Sequence, residues 1–413
     1  MPAPNVRAPK PRSFRRRFAQ AARSSLTGST EHKGSNRVVQ PSPHAATNLR
    51  IRRAALMRSF VYVGSYTSVD RNGRGSGISV FRAEPPGQPW THVQTLATVD
   101  NPSLLRTAST GRMLYAVHGG RTTVSAFAVD PLKGWIAARG SRQSGGKNPV
   151  DIGFLGGERF LVTANYSSGT VALLPLDETG RLQPACQIIP LRRPGYRADE
   201  QSPSMPHGVT VDSSGNFVLV PCKGLDSVFI FRFDASGQLL PAEIPFAACK
   251  PGSGPRHAVF HPRLPVLYVV GELGSCVQTF RWDAANGSLH EMQIRSSLPN
   301  AAAPQSAAAE IAIAANGRDL YASNRGHDSI VHFLTDEATG SLGTATWTPC
   351  HGHEPRFFVL ASGGCALHVA NQESDTIVSF PLNDAGQLGS PSVSANVGSP
   401  SSICFGAPSA GAA

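Results

Sequence analysis

Charged side chains flank an otherwise apolar stretch of the sequence, GPRHAVFHPRLPVLYVVGEL, at residues 254–273. Arg256 and His257 lie near its start, and Glu272 lies near its end. A carboxylate or an imidazole can accept a proton from water, and a guanidinium group can stabilise an oxyanion or bind a phosphate. These residue types suit the hydrolysis of an ester or a lactone, provided that the fold brings the two ends of the stretch together.

The elements around this stretch repeat along the chain from Phe60 onward. Each unit contains a short apolar strand, a polar turn and another strand that ends in Phe-x-x-acid or a close variant. These endings begin at positions 81, 127, 174, 231, 280, 333 and 380. Seven units of similar length, rich in Val, Phe, Tyr and turn residues, predict an all-β fold, a seven-bladed β-propeller of four-stranded antiparallel blades. A sandwich of irregular strands would give no reason for seven such copies.

A further short strand leads each unit and usually opens with proline. The copies are PSLLRTAS, PVDIGFL, PHGVTVD, PRHAVFH, AEIAIAA, PRFFVLA and PSSICFG. The last copy, at residues 400–406, has no strands after it, whereas FVYVGSYTS and GISVFRAE at the beginning of the core lack a leading strand. We therefore predict that the C-terminal strand is the innermost strand of the first blade, so that N- and C-terminal strands close the ring together.

In an antiparallel blade, the first strand leaves one face of the propeller and the second strand returns to it. We call this face the mouth; it should carry the start of every first strand and the end of every second strand. Arg256 and Glu272 should therefore lie there together. The same register adds further polar side chains, namely His207, His257, Glu310 and Arg356 near first-strand starts and Asn165, Arg325 and Asn371 at second-strand ends.

Connections between blades also cross the mouth, and two of them are long, at residues 191–205 and 298–308. The first contains Arg192, Arg193 and Arg197, which we expect to overhang the mouth. A single Arg or Asn in such a turn more often binds backbone carbonyl groups than a ligand. For each of these side chains, binding of a ligand and binding of a backbone carbonyl group are therefore the two alternatives.

Net charge along the chain separates a basic N-terminal segment from a neutral remainder. Residues 1–56 hold twelve Lys or Arg and one acid, Glu31, whereas the rest of the chain holds 26 basic and 26 acidic side chains. The excess positive charge therefore gives no reason to expect that the core binds nucleic acid. We expect residues 1–56 to be a disordered extension, unless translation starts at Met57, and residues 407–413 to be a flexible tail behind a propeller domain at 57–406.

Other functional classes leave no signature in this sequence. The seven cysteines have an odd total and no Cys-x-x-Cys pair, so neither a disulfide framework nor a zinc site is predicted. No apolar run approaches the roughly 18 residues that span a membrane. There is also no Gly-x-Ser-x-Gly elbow, His-x-x-x-His pair or Asp-rich loop. We predict a cytoplasmic protein that binds no membrane and uses no metal or other cofactor.

Several segments resemble those of a known family. ANYSSGTV, GSGPRHAVFHP, GEL, AEIAIAANGRDLYASNRGHDSI, GHEPRFF and NQESDTIVSF, in this order, are similar to motifs of the seven-bladed propeller lactonases of the 6-phosphogluconolactonase type. The resemblance extends from Val61 to about Phe405. The family includes the carboxy-cis,cis-muconate lactonising enzymes, in which a His, two Arg and a Glu at the mouth are proposed as active-site groups.

The resemblance assigns that set to His207 of MPHGV, Arg256 of GPRH, Glu272 of GEL and Arg325 of SNRG. Family members often read Pro-His-x-His at the first motif, whereas this chain has Met205 in place of the first histidine. Glu272 or His207 would act as the base, and the two arginines would bind the oxyanion and a phosphate. Further substrate contacts are expected from Asn165, His257, Glu310, Arg356, Asn371 and Arg197.

The resemblance implies hydrolysis of a sugar lactone, with 6-phospho-D-glucono-1,5-lactone of the pentose phosphate pathway as the leading substrate. Lactonisation of a muconate and a non-catalytic binding scaffold are the alternatives, because a cationic mouth suits any small anion and a fold alone does not determine chemistry. The expected partner is a small anionic lactone, and the expected state is a monomer or a weak homo-oligomer.

Overall fold

Seven four-stranded antiparallel sheets make up the computed structural model of the protein. The structure describes residues 59–85, 87–193, 204–299, 306–361 and 363–406. The architecture confirms the predicted all-β, seven-bladed propeller. The predictions for residues 1–56, Met57, Arg197 and residues 407–413 lie outside the described residues.

The blades are numbered in chain order, with their strands given from the axis outward. Blade 1 contains β28 (Pro400–Phe405), β1 (Phe60–Ser65), β2 (Ile78–Arg82) and β3 (Thr91–Leu96). Blade 2 contains β4 (Pro102–Thr107), β5 (Met113–His118), β6 (Thr123–Val129) and β7 (Ile136–Gln143). Blade 3 contains β8 (Pro149–Leu155), β9 (Phe160–Asn165), β10 (Thr170–Pro175) and β11 (Gln187–Pro190). Blade 4 contains β12 (Thr210–Val211), β13 (Phe217–Cys222), β14 (Ser227–Phe233) and β15 (Leu239–Ala248).

The remaining three blades follow the same order. Blade 5 contains β16 (Pro255–Phe260), β17 (Val266–Gly271), β18 (Cys276–Asp283) and β19 (Ser288–Ser296). Blade 6 contains β20 (Ala307–Ile313), β21 (Asp319–Arg325), β22 (Ser329–Thr335) and β23 (Leu342–Pro349). Blade 7 contains β24 (Pro355–Leu360), β25 (Ala366–Asn371), β26 (Thr376–Pro381) and β27 (Ser392–Asn396). Two short 3₁₀ turns lie at Val69–Arg71 and Lys223–Leu225, and no helix within the described ranges has the length and apolarity to cross a membrane.

The C-terminal strand closes the ring. β28 pairs antiparallel with β1, from Val61 opposite Phe405 to Ser65 opposite Pro400. It also supplies Ile403 to the apolar cluster that includes Val61 and Val63 of β1. The predicted clasp between the N- and C-terminal strands is therefore confirmed.

The Phe-x-x-acid ending of the repeat builds a turn on the face opposite the mouth. In blade 6, the carboxylate of Asp336 accepts hydrogen bonds from the backbone N–H groups of Ala338 and Thr339, at 3.1 and 2.8 Å. Gly340 follows with a φ of 74°, which glycine adopts without steric cost. Its carbonyl accepts a 2.6 Å hydrogen bond from Tyr268 Oη of blade 5. Tyr115 and Tyr321 make the same contact with Gly180 and Gly386, so the repeated residues form these turns and connect them to the neighbouring blade.

A β-bulge recurs at the mouth, where first strands begin. In blade 5, Pro255 pairs with Gly271 and His257 with Val270, so Arg256 is an extra residue in the ladder. The same register shift makes Arg356 the extra residue at the start of β24. A bulge changes the direction in which the side chain of the inserted residue points. The bulges therefore orient side chains at the mouth differently from the alternation of a regular strand.

Candidate active site

A cavity of about 160 Å³ opens at the mouth. The described residues that line it are Arg71, Asn148, Val150, Tyr166, His207, Lys223, Glu272, Arg325 and Arg356. Four of these side chains are Arg or Lys and only one is a carboxylate. The lining therefore carries an excess of positive charge, which favours an anionic ligand.

Glu272, the carboxylate of this lining, contacts three cations. Lys223 Nζ donates a 2.6 Å hydrogen bond to Glu272 Oε1. Arg325 Nη2 lies 3.3 Å from Oε1, and Arg256 Nε lies 3.2 Å from Oε2. Lys223 follows the second strand of blade 4, Arg256 lies at the start of the first strand of blade 5, and Arg325 ends the second strand of blade 6. All three contact the carboxylate that follows β17, as the predicted mouth register requires.

The two arginine contacts are Coulombic, because their N–H groups are not aligned for hydrogen bonding. Arg256 Nε and Arg325 Nη2 are buried and make no hydrogen bond with any described residue. Arg325 also lines the cavity. The positive charge of its guanidinium group therefore acts on an oxygen atom that develops negative charge inside the cavity.

These cations keep Glu272 ionised. Burial alone would raise its pKa, but the charges of Arg256, Arg325 and Lys223 outweigh burial and lower the pKa to about 2. A carboxylate with so low a pKa is a weak base. In the ligand-free protein, Glu272 therefore holds cations in place more effectively than it could accept a proton from water.

His207 lies beside this carboxylate with an imidazole that is free to accept a proton. Its Nε2 atom is 4.0 Å from Glu272 Oε2, and its Nδ1 atom is buried and makes no hydrogen bond within the described residues. Tyr166 and His257 contact the ring edge to face, with centroids at 5.5 and 5.3 Å. The aromatic contacts fix the position of the ring while leaving its nitrogen atoms available.

The environment of His207 favours its neutral form. Burial and then the charges of Arg256, His257 and Arg356 hold its pKa well below the ordinary value. The imidazole is therefore unprotonated at neutral pH, as a general base must be. An anion bound nearby would offset the positive field and make the imidazole more basic.

Arg256 lies behind the described cavity lining, and its predicted role as an oxyanion ligand remains a prediction. Its side chain is 3 % exposed and is not among the described residues that line the cavity. Its Nη1 atom donates to the carbonyl of Ala309, and its Nε atom faces Glu272. Burial, together with Arg356 and Arg325, lowers its pKa to about 10. Arg256 supports Glu272 from behind, because the bulge turns it inward.

His257 and Glu310 form a buried pair next to Arg256. Both carboxylate oxygens of Glu310 lie 3.0 Å from His257 Nδ1, and Glu310 also accepts the backbone N–H of Ile311 at 3.0 Å. Burial would raise the pKa of Glu310, but His257 and Arg256 lower it. Neither residue is among the described lining, so their predicted substrate contacts remain a prediction and their visible role is to hold the first strands together.

Two of the predicted substrate-binding residues cap blade connections. Asn165 Nδ2 donates a 2.9 Å hydrogen bond to the carbonyl of Ser144, and Asn371 Nδ2 donates a 3.2 Å bond to that of Cys350. Both asparagines are fully buried and are not among the described lining. This arrangement matches the simpler role of a turn asparagine that binds a backbone carbonyl.

The predicted overhanging arginines lie away from the cavity where the structure describes them. Arg193 stacks over the ring of Phe246 on the outer strand of blade 4, with its Cζ 5.4 Å from the centroid. Arg192 is exposed, and neither side chain is among the described lining. Among the predicted residues, Arg356 does line the cavity, where its Cζ lies 5.2 Å from the ring centroid of Tyr66.

Several lining residues were missed by the sequence analysis. Lys223 directly follows the second strand of blade 4, so the register that selected Glu272 also applies to it. Tyr166 follows β9 in the same way. Arg71 ends the 3₁₀ turn between β1 and β2, a connection whose conformation no strand pattern predicts. The described residues contain no group of three His, Cys, Asp or Glu side chains arranged to hold a metal ion.

Comparison with known proteins identifies the family of this chain. The family "Lactonase, 7-bladed beta-propeller" matches residues 60–405. A 6-phosphogluconolactonase of Bacillus subtilis is 28% identical over 77% of this chain and 90% of its own length. One of Formosa agariphila is 28% identical over 78% and 91%.

Solved structures agree with these relatives. A periplasmic gluconolactonase of Pseudomonas aeruginosa superposes with a TM-score of 0.77 at 30% identity, covering 85% of this chain and 99% of that one. A putative 6-phosphogluconolactonase of Bacteroides fragilis gives 0.75 at 28% identity, covering 84% and 98%. The match spans the whole ring of blades and the residues that converge on Glu272, and this protein therefore belongs to the lactonase family of seven-bladed β-propellers.

Proposed function

We propose that this enzyme hydrolyses 6-phospho-D-glucono-1,5-lactone to 6-phosphogluconate, a reaction of the pentose phosphate pathway. The observation that carries the proposal is the cation-rich cavity at the mouth, which contains a neutral imidazole beside an ionised carboxylate. The names of the relatives support the same substrate. Family membership favours an enzyme over a binding scaffold.

His207 is the general base in this proposal. Its Nε2 atom and Glu272 Oε2, 4.0 Å apart, are both within hydrogen-bonding reach of a water molecule that bridges them. The imidazole takes a proton from that water as its oxygen bonds to the lactone carbonyl carbon. Glu272 accepts the second hydrogen bond and orients the attack, a role that its low pKa allows.

Arg325 and Lys223 stabilise the oxyanion that forms on the carbonyl oxygen. Arg325 lines the cavity and contacts Glu272 through Nη2, and Lys223 Nζ shares Glu272 with it. When the bond from the carbonyl carbon to the ring oxygen breaks, the protonated His207 returns its proton to that oxygen. The products are a carboxylic acid, which ionises, and a hydroxyl group. Arg256 is a positioning residue, since it acts through Glu272.

A lactonase assay on the purified full chain tests this function. Acid release from 6-phospho-D-glucono-1,5-lactone should exceed the spontaneous rate in proportion to enzyme concentration, and the His207→Gln variant serves as the matched control. Incubation with a carboxymuconate in parallel tests the lactonising alternative. A rate equal to spontaneous opening, in a protein that circular dichroism shows to be folded, would exclude the proposed reaction.

We also propose that the enzyme acts in the cytoplasm. All seven cysteines lie in the described residues, and none of them forms a disulfide, as is usual for proteins of reducing compartments. Because one similar structure is that of a periplasmic gluconolactonase, the cellular compartment of this enzyme needs its own test. Cell fractionation of the full chain should recover the activity with cytoplasmic markers, and recovery with periplasmic markers would contradict this assignment.

A further inference from the structure

Two arginines of the cavity have no acidic partner among the described residues. Arg71 and Arg356 line the cavity, yet neither guanidinium group makes a hydrogen bond or an ion pair with a described residue. The Nε atom of Arg71 is buried as well as unpaired within that set. Arg325 and Lys223, in contrast, contact Glu272. The cavity therefore has a charge-compensated end and an uncompensated end.

A single aromatic ring holds the two unpaired guanidinium groups. Their Cζ atoms lie 5.0 Å (Arg71) and 5.2 Å (Arg356) from the ring centroid of Tyr66, within the range of a cation–π contact. Tyr66 directly follows β1 and is 3 % exposed. Burial would raise the pKa of its phenol, but the charges of Arg356, Arg71, Arg256 and Arg325 together outweigh burial and lower it. The ring thus fixes both cations without neutralising them.

The carboxylates closest in sequence to these arginines have other partners. Asp70 precedes Arg71 but forms an ion pair with Arg121, whose Nη2 atom lies 3.2 Å from Asp70 Oδ1. Glu354 lies two residues before Arg356; its ion pair is with Arg325, whose Nε atom is 3.9 Å from Glu354 Oε2, and Arg356 acts on it through its charge without forming an ion pair. Local folding therefore leaves the charges of Arg71 and Arg356 available within the described part of the mouth.

We propose that Arg71 and Arg356, held by the ring of Tyr66, form an anion subsite that binds the phosphate of a phosphorylated sugar lactone and makes the enzyme prefer it to the neutral lactone. This proposal rests on the proposed function and deepens it by identifying the groups that select the substrate. A phosphate monoester carries nearly two negative charges and several acceptor oxygens, which match two forked guanidinium groups. The lactone ring then lies at the compensated end, beside His207 and Glu272.

Selectivity follows from the cost of leaving these cations unpartnered. A neutral lactone would displace solvent from Arg71 and Arg356 without replacing its hydrogen bonds. A site built around polar contacts discriminates strongly against a ligand that lacks them. We expect kcat/KM for 6-phospho-D-glucono-1,5-lactone to exceed that for D-glucono-1,5-lactone by about 100-fold or more.

The test compares both lactones in the full-length wild type, Arg71→Gln and Arg356→Gln. Each substitution should lower kcat/KM for the phosphorylated lactone at least about tenfold more than for the neutral lactone, mainly through KM. Inorganic phosphate should inhibit the wild type competitively and inhibit both variants more weakly. Arg192→Gln is the matched control, because it removes one exposed positive charge outside the described cavity lining and should leave the selectivity unchanged.

Tyr66 variants test the positioning role of the ring. Tyr66→Phe keeps the aromatic face and should retain more of the selectivity than Tyr66→Leu, which removes that face. If the Leu variant does not fold, the comparison of Tyr66→Phe with Arg71→Gln still shows whether the selectivity depends on the phenol hydroxyl or on the guanidinium group.

Distinct results would overturn the subsite and the proposed function. Equal losses for both lactones in Arg71→Gln and Arg356→Gln, or equal efficiency of the wild type with both lactones, would remove the subsite while leaving the lactonase reaction intact. No turnover of either lactone would remove the proposed function. In that case, the stabilisation of the wild type by inorganic phosphate, measured as a shift in Tm against Arg71→Gln, decides whether the anion subsite exists.

Discussion

Glu272 and Asp319 are both buried carboxylates in the second-strand layer, but they lie on opposite faces of the propeller. Glu272, at the mouth, contacts Lys223, Arg325 and Arg256. Asp319, at the start of β21, accepts a 2.8 Å hydrogen bond from His332 Nε2 and a 2.6 Å bond from Asn316 Nδ2. Both are less than 10 % exposed. The partners of Glu272 are cations, two of which keep buried N–H groups that make no hydrogen bond with a described residue. The partners of Asp319 are a histidine and an asparagine that are hydrogen-bonded to it.

A second cavity, of about 230 Å³, adjoins Asp319 and His332, so cavity size does not distinguish the two faces. Its described lining includes Arg318 and Asp384 and has no excess of cations. Asp319 is satisfied by two aligned hydrogen bonds, as in a structural network. At the mouth, buried N–H groups of Arg256 and Arg325 and a ring nitrogen of His207 have no described hydrogen-bond partner. At the mouth such unused buried atoms lie beside an excess of cations, and this combination, rather than burial itself, distinguishes the mouth from the opposite face.

The largest expected effect on turnover comes from His207→Gln. Glutamine approximates the size of the imidazole but cannot serve as a base at neutral pH, so kcat for the phosphorylated lactone should fall by about 100- to 10,000-fold. Single-turnover and steady-state measurements would separate this loss from weaker binding. A variant that keeps at least a tenth of the wild-type kcat would show that another group takes the proton.

Glu272→Gln should have the next largest effect, of at least about tenfold on kcat, because Lys223 and Arg325 would lose the charge that orients them. The variant also leaves several cations uncompensated and should be less stable by about 3–5 kcal/mol. Its Tm should rise more with added inorganic phosphate than the wild-type Tm does. Unchanged kcat and Tm would mean that Glu272 neither orients the cations nor stabilises the mouth.

The stability difference should have a defined pH dependence. The pKa of Glu272 in the folded protein, about 2, lies below its ordinary value of 4.5. Its ionised form therefore contributes stability above pH 4.5, and this contribution is lost as the pH falls toward 2. The Tm difference between wild type and Glu272→Gln should accordingly persist at pH 5. A difference that disappears between pH 7 and 5 would contradict the lowered pKa.

The ring and the mouth were predictable from the sequence because they depend on period and chain direction. The repeat predicted the blades and the clasp, and strand direction brought His207, Glu272 and Arg325 to the same cavity. The position of Arg256 behind Glu272 was missed because strand alternation was applied without the bulge, although that bulge directly follows the leading proline of the first strand here and in blades 2, 3 and 7. Arg71 was missed for a related reason, because it lies in a turn between strands.

Asp319→Asn should have a small effect on turnover, although it makes the same chemical change as Glu272→Gln. The amide can keep one hydrogen bond but weakens the contacts with His332 and Asn316, so stability should fall by about 1–3 kcal/mol. For a domain of this size, that loss corresponds to a decrease of several degrees in Tm. Kinetics below the transition temperature should match wild type within about twofold. A tenfold lower kcat would show that the opposite face communicates with the mouth.

The smallest effect is expected from moderate acid. Burial and the nearby arginines hold the pKa of His207 well below 6.5, and a base works in its unprotonated form, which predominates above its pKa. The value of kcat/KM reports the free enzyme, so with the neutral lactone it should stay constant within about twofold from pH 8 to pH 6. An exposed histidine would instead lose about half of its basic form at pH 6.5. For the phosphorylated lactone, kcat/KM should begin to decline nearer pH 6, because its phosphate takes up a proton there and then binds Arg71 and Arg356 less tightly. A parallel decline for both lactones, with a midpoint near pH 6.5, would show that the positive field of the mouth does not reach His207.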